Sequence, residues 1–492
     1  MNYYFKIIFI VLAINFVSCE KEKDFVVING KISGDIPQQI EYSLPINGID
    51  FFGIKDSVQP DSLGNFKIKL QLEKTSFVEF FNDLKYYGTL ITEPHKNYNI
   101  QINIRDSIDF NVQGKTSQAQ KTYNKLSSKT LLDGYFSEES SKYKTDSIAK
   151  NIKEKINKNK NKELAQFQQL YKQKKISNNF YQLIKNDREY YYAGALVDIG
   201  YNNYRLDKLG RNKLTEKEYS KLLRDAYKIK PATNENLMSS PWFYFYTQLF
   251  LIYKDYYEEK NSVEDIGRMM ASGKYNSHFM NLANKYLPQS NYEYFFAAHL
   301  IFVSTYNNFE KELIDLFEVF KKEFPNSPYT NYVKTYIAPV IAYHEKQKED
   351  FNKDTIFLDH QKFTSLNSIA QELQSERIYV DIWASWCAPC KEEFKHSDDL
   401  YNLLQSNNIP VVYISIDEEN RVTQWKEIIK FFNLKGYHLR AEKALVDELK
   451  ELKGTKNFGV PWHFVIDSEG NIIEKYVDGA SNTTKLKSQL KL

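Results

Sequence analysis

The chain has 492 residues, too many for one ordinary hydrophobic core, so about three units of roughly 150 residues each are expected. A hydrophobic content of 42%, with 37 Tyr and 33 Phe, excludes a chain disordered throughout. With 66 basic and 63 acidic residues the net charge is only +3, which excludes the one-sign field that nucleic acid selects, so no nucleic-acid partner is expected. The cysteines are Cys19, Cys387 and Cys390, too few for a structural disulfide framework.

The chain opens MNYYFKIIFIVLAINFVSC, in which Lys6 precedes an apolar run from Ile7 to Val17 broken only by Asn15. The run has the length of a secretory h-region and falls short of the roughly 20 residues that span a bilayer. Its end, Phe16-Val17-Ser18-Cys19, resembles a bacterial lipoprotein signal, with Phe16 where that pattern usually has Leu. The resemblance implies a signal peptide over residues 1–19 and an acylated Cys19 as the mature N-terminus. Acyl chains at roughly 0.8 kcal/mol per buried methylene would then anchor the protein to a membrane of the cell envelope, facing the periplasm.

From 24 to 112 short alternating runs are divided by turn residues: FVVINGKISGD, QIEYSL, DSVQPDSLGNFKIKLQL, TSFVEFF and NYNIQINI. Ile100, Ile102 and Ile104 alternate with polar residues as a half-buried strand does. Asn29-Gly30 and Gly64-Asn65 read as hairpin turns. The expectation is a small antiparallel β-domain without a catalytic constellation, suited to a spacer or docking role.

From 113 to 348 Gly and Pro thin out, and helix formers with aromatics at three-to-four spacing take over, which predicts an α-helical middle domain. The basic stretch KNIKEKINKNKNKELAQFQQLYKQKK reads as a solvated helix face. Tyr190, Tyr191 and Tyr192, and WFYFYTQLFLIY from Trp242 to Tyr253, read as core aromatics. FPNSPYTNYVK stands in no regular 34-residue period, so no helical-hairpin array is assigned. Polar KQKEDFNKD, residues 346–354, marks a seam, and 350–492 form the last unit.

There, ERIYVDIWASWCAPCKEEF predicts a strand from Ile378 to Trp383, a short loop, and a helix starting near Cys387 and Cys390. The segment from Val380 to Cys390 resembles the thioredoxin active site, and residues 350–492 resemble the TlpA/ResA-type disulfide reductases. The implied fold class is multidomain: a small antiparallel β-domain, an α-helical middle domain and a C-terminal α/β thioredoxin fold. Residues 24–112 in turn resemble the β-modules that precede such domains in envelope lipoproteins.

The chemistry can also be read from the residues. A thiolate attacks a disulfide, and a cysteine at a helix start has its thiolate favoured by exposed N–H groups. Cys387 is therefore the candidate nucleophile. Cys390, one helical turn on, is the resolving thiol, and Pro389 suits the first helical position. A structural zinc site needs four ligands, and no second cysteine pair exists; His396, His438 and His463 show no ligand spacing, so no metal is expected. A peroxiredoxin is disfavoured because that family sets its cysteine among different residues.

The resemblance adds site residues. Asp381, six residues before Cys387, occupies the offset of the buried acid of thioredoxin, and Glu393 matches a ResA-type glutamate; both are candidate proton handlers near the resolving thiol. Val460-Pro461 resembles the cis-proline turn that faces the cysteines, so Trp386, Val460 and Pro461 are the expected substrate-binding positions. Trp462 and His463, where relatives carry smaller side chains, are expected to shape the substrate groove. Downstream, PVVYISID (410–417) reads as a parallel strand, and HFVID and IIEKY as a strand pair joined by a turn from Ser468 to Asn471.

The implied activity is thiol-disulfide exchange on protein substrates, without a cofactor, in the reducing direction and fed by a membrane-side electron donor. Two rivals stand beside it: an oxidase or isomerase of the same chemistry, and an envelope binding or assembly lipoprotein with a subsidiary redox domain.

Overall fold

The computed structural model describes residues 25–492 except 47, 50–52, 83–84, 106, 127–135, 307–308 and 455–458. The signal peptide expected over residues 1–19 and its acylated Cys19 lie outside the described residues. By their internal contacts the residues divide into two compact units, one reaching to Ile266 and taking in Phe279–Phe295, the other made of Gly267–His278 and Phe296–Leu492.

In the first unit, β1 (Val26–Gly34), β2 (Ile40–Ser43), β3 (Lys55–Val58), β4 (Asn65–Leu70), β5 (Ser76–Asn82), β6 (Lys85–Thr92), β7 (Asn97–Ile104) and β8 (Ile108–Val112) make two sheets, ordered β4-β1-β7-β8 and β3-β2-β5-β6. Alternation selects the inner faces. On β7, Tyr98, Ile100, Ile102 and Ile104 are buried between exposed Asn97, Asn99 and Gln101. They share one core with Ile28 and Ile32 of β1 and with Val78, Phe80 and Leu90 of the other sheet. Each such side chain contributes about 1.5–3 kcal/mol by leaving water.

Two expectations give way here. β1 and β7 run parallel, with Ile28 beside Tyr98 and Ile32 beside Ile102, so this is a mixed sandwich and not a purely antiparallel module. The two strands are joined through the second sheet, and no tight hairpin dictates their direction. Asn29-Gly30 is no turn, because both residues lie inside β1. Gly30 pairs with Phe66 of β4, and a Cβ on it would stand 1.9 Å from Phe66 Cζ; the glycine makes room for that ring. Gly64-Asn65 does close a turn, with Asp61 Oδ1 accepting from the N–H groups of Leu63 and Asn65. It carries the chain from β3 in one sheet to β4 in the other, so it makes no hairpin.

Helices follow: α1 (Ser117–Tyr123), α2 (Ser137–Ser140), α3 (Ala149–Lys172), α4 (Asn178–Asp207), α5 (Glu216–Ile229), α6 (Phe243–Tyr257), α7 (Val263–Ala271), α8 (Tyr275–Tyr286), α9 (Gln289–Thr305), α10 (Glu312–Glu323) and α11 (Thr330–Lys346). The basic stretch is α3, which buries Ile152, Ile156, Phe167 and Leu170 along one stripe. On its wet side Lys155 meets Asp146 at 2.9 Å. The aromatic runs are core: Tyr190 to Tyr192 of α4 and Trp242 to Tyr246 are all buried, with Trp242 and Tyr191 ring centroids 5.2 Å apart. Among the described residues no helix is long and apolar enough to cross a membrane.

The second unit contains β9 (Thr355–Phe357), α12 (Leu366–Leu373), β10 (Ile378–Trp383), α13 (Ala388–Phe394), α14 (Ser397–Gln405), β11 (Val411–Ser415), α15 (Val422–Phe431), β12 (Gly436–Arg440), α16 (Lys443–Lys453), β13 (Trp462–Ile466), β14 (Ile472–Glu474) and α17 (Thr483–Gln489). The sheet order is β14-β13-β10-β11-β12-β9. β10 runs parallel to β11 and antiparallel to β13. It is buried on both faces, as its run of apolar residues, interrupted only by Asp381, requires. Ile378, Val380 and Ile382 join the core under α12 and α16, with Leu366, Ile369, Leu445 and Leu449. The alternate residues Tyr379, Asp381 and Trp383 face the other way, where Trp383 meets Phe394 of α13 edge-on at 5.0 Å. A mixed sheet covered on both faces, with its reactive loop at the C-terminal end of the central strand, is a thioredoxin-like fold.

Candidate active site

The loop that leaves β10 turns tightly, the Cys387 N–H donating to the Ala384 carbonyl at 3.0 Å, and hands the chain to α13. Cys387 is the residue that caps this helix. Its Sγ accepts from the Cys390 N–H at 3.1 Å, satisfying one of the donors that a helix start leaves free. Cys387 and Cys390 are joined as a disulfide with their Cα atoms 5.4 Å apart. Pro389 stands second in the helix, one place later than its sequence preference suggests, but still within the turn whose N–H groups have no helical partner. Cys390 is fully buried and Cys387 nearly so, whereas Trp386 beside them is 49% exposed.

The loop is tethered from the neighbouring strand. Asp417, two residues past β11 and buried, accepts from the Ser385 N–H at 2.7 Å and the Ser385 hydroxyl at 2.8 Å. The Ser415 hydroxyl adds a third bond at 2.7 Å. Sequence reading missed Asp417. The available signal was an acid at the C-terminal end of a parallel strand, where open α/β sheets place their site residues.

Asp381 is buried on β10, on the face turned to α13. Burial pushes its carboxyl from 3.8 up to about 6, the His463 imidazole opposing and the Glu393 carboxylate adding to the rise. Glu393 lies on α13, where its Oε2 accepts from the Ser481 N–H at 2.8 Å and its Oε1 from the Ser481 hydroxyl at 2.7 Å. It is thus tied to the chain just ahead of α17 and is only partly exposed. Lys391, next to Cys390 and also overlooked in the sequence, is buried. Desolvation pulls its ammonium down to about 8, against the pull of the Asp417 carboxylate.

The Val460–Pro461 peptide is cis, and both residues are half-buried. The two residues that follow depart from expectation. Strand alternation sends Trp462 into the core beneath α16, where its Nε1 donates to the Lys475 carbonyl at 2.8 Å. His463 goes to the opposite face, buried against Asp381 and Tyr379. Neither side chain lines an open groove. Among the described residues no group of three His, Cys, Asp or Glu side chains is placed to hold a metal ion.

Residues 352–490 match the family model described as Redoxin. The chain is similar to a thiol-disulfide oxidoreductase ResA of Bacillus cereus, 24% identical over 108 residues, which are 22% of this chain and 58% of the relative. It is also similar to ResA of Bacillus subtilis (strain 168), 23% identical over 121 residues, or 25% of this chain and 63% of that protein. It therefore spans less than two thirds of the length of these relatives. Among solved structures it is similar to the thioredoxin domain of a thiol-disulfide oxidoreductase from Bacteroides vulgatus, at 22% identity and a TM-score of 0.21, covering 24% of this chain and 80% of that one. A thioredoxin-like protein from Bacteroides caccae ATCC 43185 is similar at 14% identity and a TM-score of 0.20, covering 50% of this chain and 93% of that one. The family match, the sheet order and the dithiol loop agree: residues 352–490 match the Redoxin family and carry a thioredoxin-like fold, and the chain is similar over 108–121 residues to ResA proteins.

Proposed function

We propose that the protein is a thiol-disulfide oxidoreductase of the cell envelope that reduces protein disulfides through Cys387 and Cys390. The observation that carries the reading is the Cys390 N–H donating to Cys387 Sγ at 3.1 Å from the first turn of α13. A sulfur held this way is favoured as the thiolate, which is the attacking species. In the reduced protein Cys387 attacks a substrate disulfide, bonds to one sulfur and releases the other as a thiolate. Cys390 then attacks Cys387 Sγ, the second substrate sulfur leaves with its electron pair, and two electrons have passed from the dithiol to the substrate. Asp381 takes up the Cys390 proton, with Glu393 as the second proton handler. Exposed Trp386 and the backbone at Val460 and Pro461 receive the substrate chain.

The reducing direction follows the resemblance of this segment to ResA-type reductases. It calls for a membrane-side dithiol donor that returns Cys387–Cys390 to the reduced form. Acylation at Cys19 keeps the domain at that membrane, and a β-module over 24–112 and a helical module over 113–348 separate the anchor from the redox domain of 350–492. The test is a Cys390→Ser variant in intact cells. It should accumulate mixed disulfides with substrate proteins, and these should vanish when Cys387→Ser is added. A variant that traps nothing refutes the reading, and an equilibrium with glutathione placing the pair among strong oxidants, near about −120 mV, refutes its direction.

A further inference from the structure

Three titratable side chains from separate elements converge beside β10, the strand that leads into the dithiol loop. β10 and β13 pair antiparallel with Asp381 directly opposite His463, and His463 Nε2 lies 3.5 Å from Asp381 Oδ1. The two residues are 4% and 8% exposed. Asp381 Oδ1 makes no hydrogen bond, so the imidazole is the group at hand to answer its charge. Tyr379 stacks on the imidazole with ring centroids 5.9 Å apart and planes 20° apart, which fixes its orientation.

Glu393 approaches the same ring from α13. A Cβ on Gly479 would stand 2.4 Å from Glu393 Oε2 and 2.6 Å from His463 Cε1, so only glycine lets carboxylate and imidazole share that corner. The other titratable groups facing this row are Tyr379 on β10, Tyr413 on β11, Tyr401 on α14 and Asp478 beyond β14. Lys485 meets Asp478 at 3.1 Å. The tyrosines stay neutral at working pH, since burial drives their phenols up. The row therefore runs from a sealed carboxyl, through an imidazole, to a carboxyl that reaches solvent.

We infer that His463 is a positioning residue of the redox centre, carrying the proton of Asp381 toward Glu393 so that the buried carboxyl is restored as a base in every cycle. This rests on the redox function proposed above. When Cys390 attacks, its sulfur bonds to Cys387 Sγ, the substrate sulfur departs with its electron pair, and the Cys390 proton moves to the Asp381 carboxylate. Asp381 then passes that proton to His463 Nε2. The imidazole gives up the proton of its other nitrogen toward Glu393, and from there it reaches solvent. Asp381 is then again a carboxylate and the imidazole is left with its proton on Nε2. When a dithiol donor re-reduces the pair, Cys390 leaves as a thiolate and the row runs in reverse: Asp381 delivers a proton to Cys390, takes the Nε2 proton in its place, and the other imidazole nitrogen regains a proton from solvent through Glu393, so His463 returns to its starting form.

The test follows insulin reduction by the pre-reduced full-length protein across pH, in wild type, His463→Gln and Glu393→Gln. The rate should rise through the Asp381 inflection. In His463→Gln that inflection moves to higher pH, because the ring that opposes the rise of the Asp381 carboxyl is gone, and kcat near neutrality falls about tenfold with KM unchanged. In Glu393→Gln the inflection moves to lower pH, because a repelling carboxylate is gone. Opposite displacements from two neighbouring substitutions are not what simple loosening of the fold produces. A second measurement needs no variant: the 13C-labelled His463 Cε1 resonance of the wild-type protein should move through the same inflection as the rate. A His463→Gln profile that superimposes on wild type, or a resonance flat across the inflection, overturns the inference and leaves the Cys387 chemistry standing. A wild-type protein that reduces insulin at no pH overturns the redox function and the inference with it.

Discussion

Replacing Asp381 by Asn isolates what the buried carboxylate costs the fold. Its carboxyl stands at about 6 instead of 3.8, chiefly through burial, so the folded protein holds this proton more tightly than the unfolded chain does. A rise of that size is worth about 3 kcal/mol at roughly 1.4 kcal/mol per decade of acidity. Below about pH 4 both states are protonated and the penalty is absent. As pH rises, the unfolded chain ionises first and stability drains away, until the folded carboxyl also ionises near 6 and the full penalty stands. Asn carries no charge at any pH. Asp381→Asn should therefore be as stable as wild type near about pH 4 and gain up to about 3 kcal/mol by about pH 8. The assay is urea unfolding of the oxidised full-length protein and the variant across that range, comparing the transition that reports on the tryptophans of this unit. A gap that stays constant with pH, or a variant weaker than wild type at the alkaline end, refutes the reasoning.

Asp417→Ala strips three hydrogen bonds from buried partners and should lower the unfolding midpoint by an amount equivalent to about 1–3 kcal/mol or more, with faster alkylation of Cys387 in the reduced protein as the loop loosens. Equal alkylation rates would show that the tether does not set the loop. Trp386→Ala removes a half-exposed ring, so stability should stay within about 0.5 kcal/mol while KM for protein disulfides rises and the rate with a small disulfide such as oxidised glutathione is kept. A parallel loss with both substrates would remove Trp386 from the protein-binding surface.

The strand, the helix start and the joined cysteines were legible because their signals are local: a buried strand, two sulfurs one helical turn apart, and a turn dipeptide ahead of another strand. The aromatic runs of α4 and α6 were legible for the same reason, spacing alone marking them as core. What escaped depends on partners distant in sequence. The parallel pairing of β1 with β7 joins residues that no hairpin connects. Gly30 looked like a turn residue because Asn-Gly is a strong local cue, but the ring of Phe66 opposite decides its role. Asp417 reaches Ser385 from 32 residues away; its place after β11 marks it as a site residue, but nothing local names Ser385 as its partner. Trp462 and His463 are assigned to a groove by their position after Pro461, but they open β13, a strand buried along its whole length, so both faces are covered and both side chains lie inside.

The bond between Asp417 and Ser385 has a consequence for anyone who would move this pair of cysteines elsewhere. Ser385 is two residues ahead of Cys387 and is gripped by both its main chain and its side chain, so the loop inherits its position from the adjacent strand. A graft of Trp386 to Cys390 alone would carry the reagents and leave behind the clamp that aims them. A working transplant would have to include the end of β11 as well.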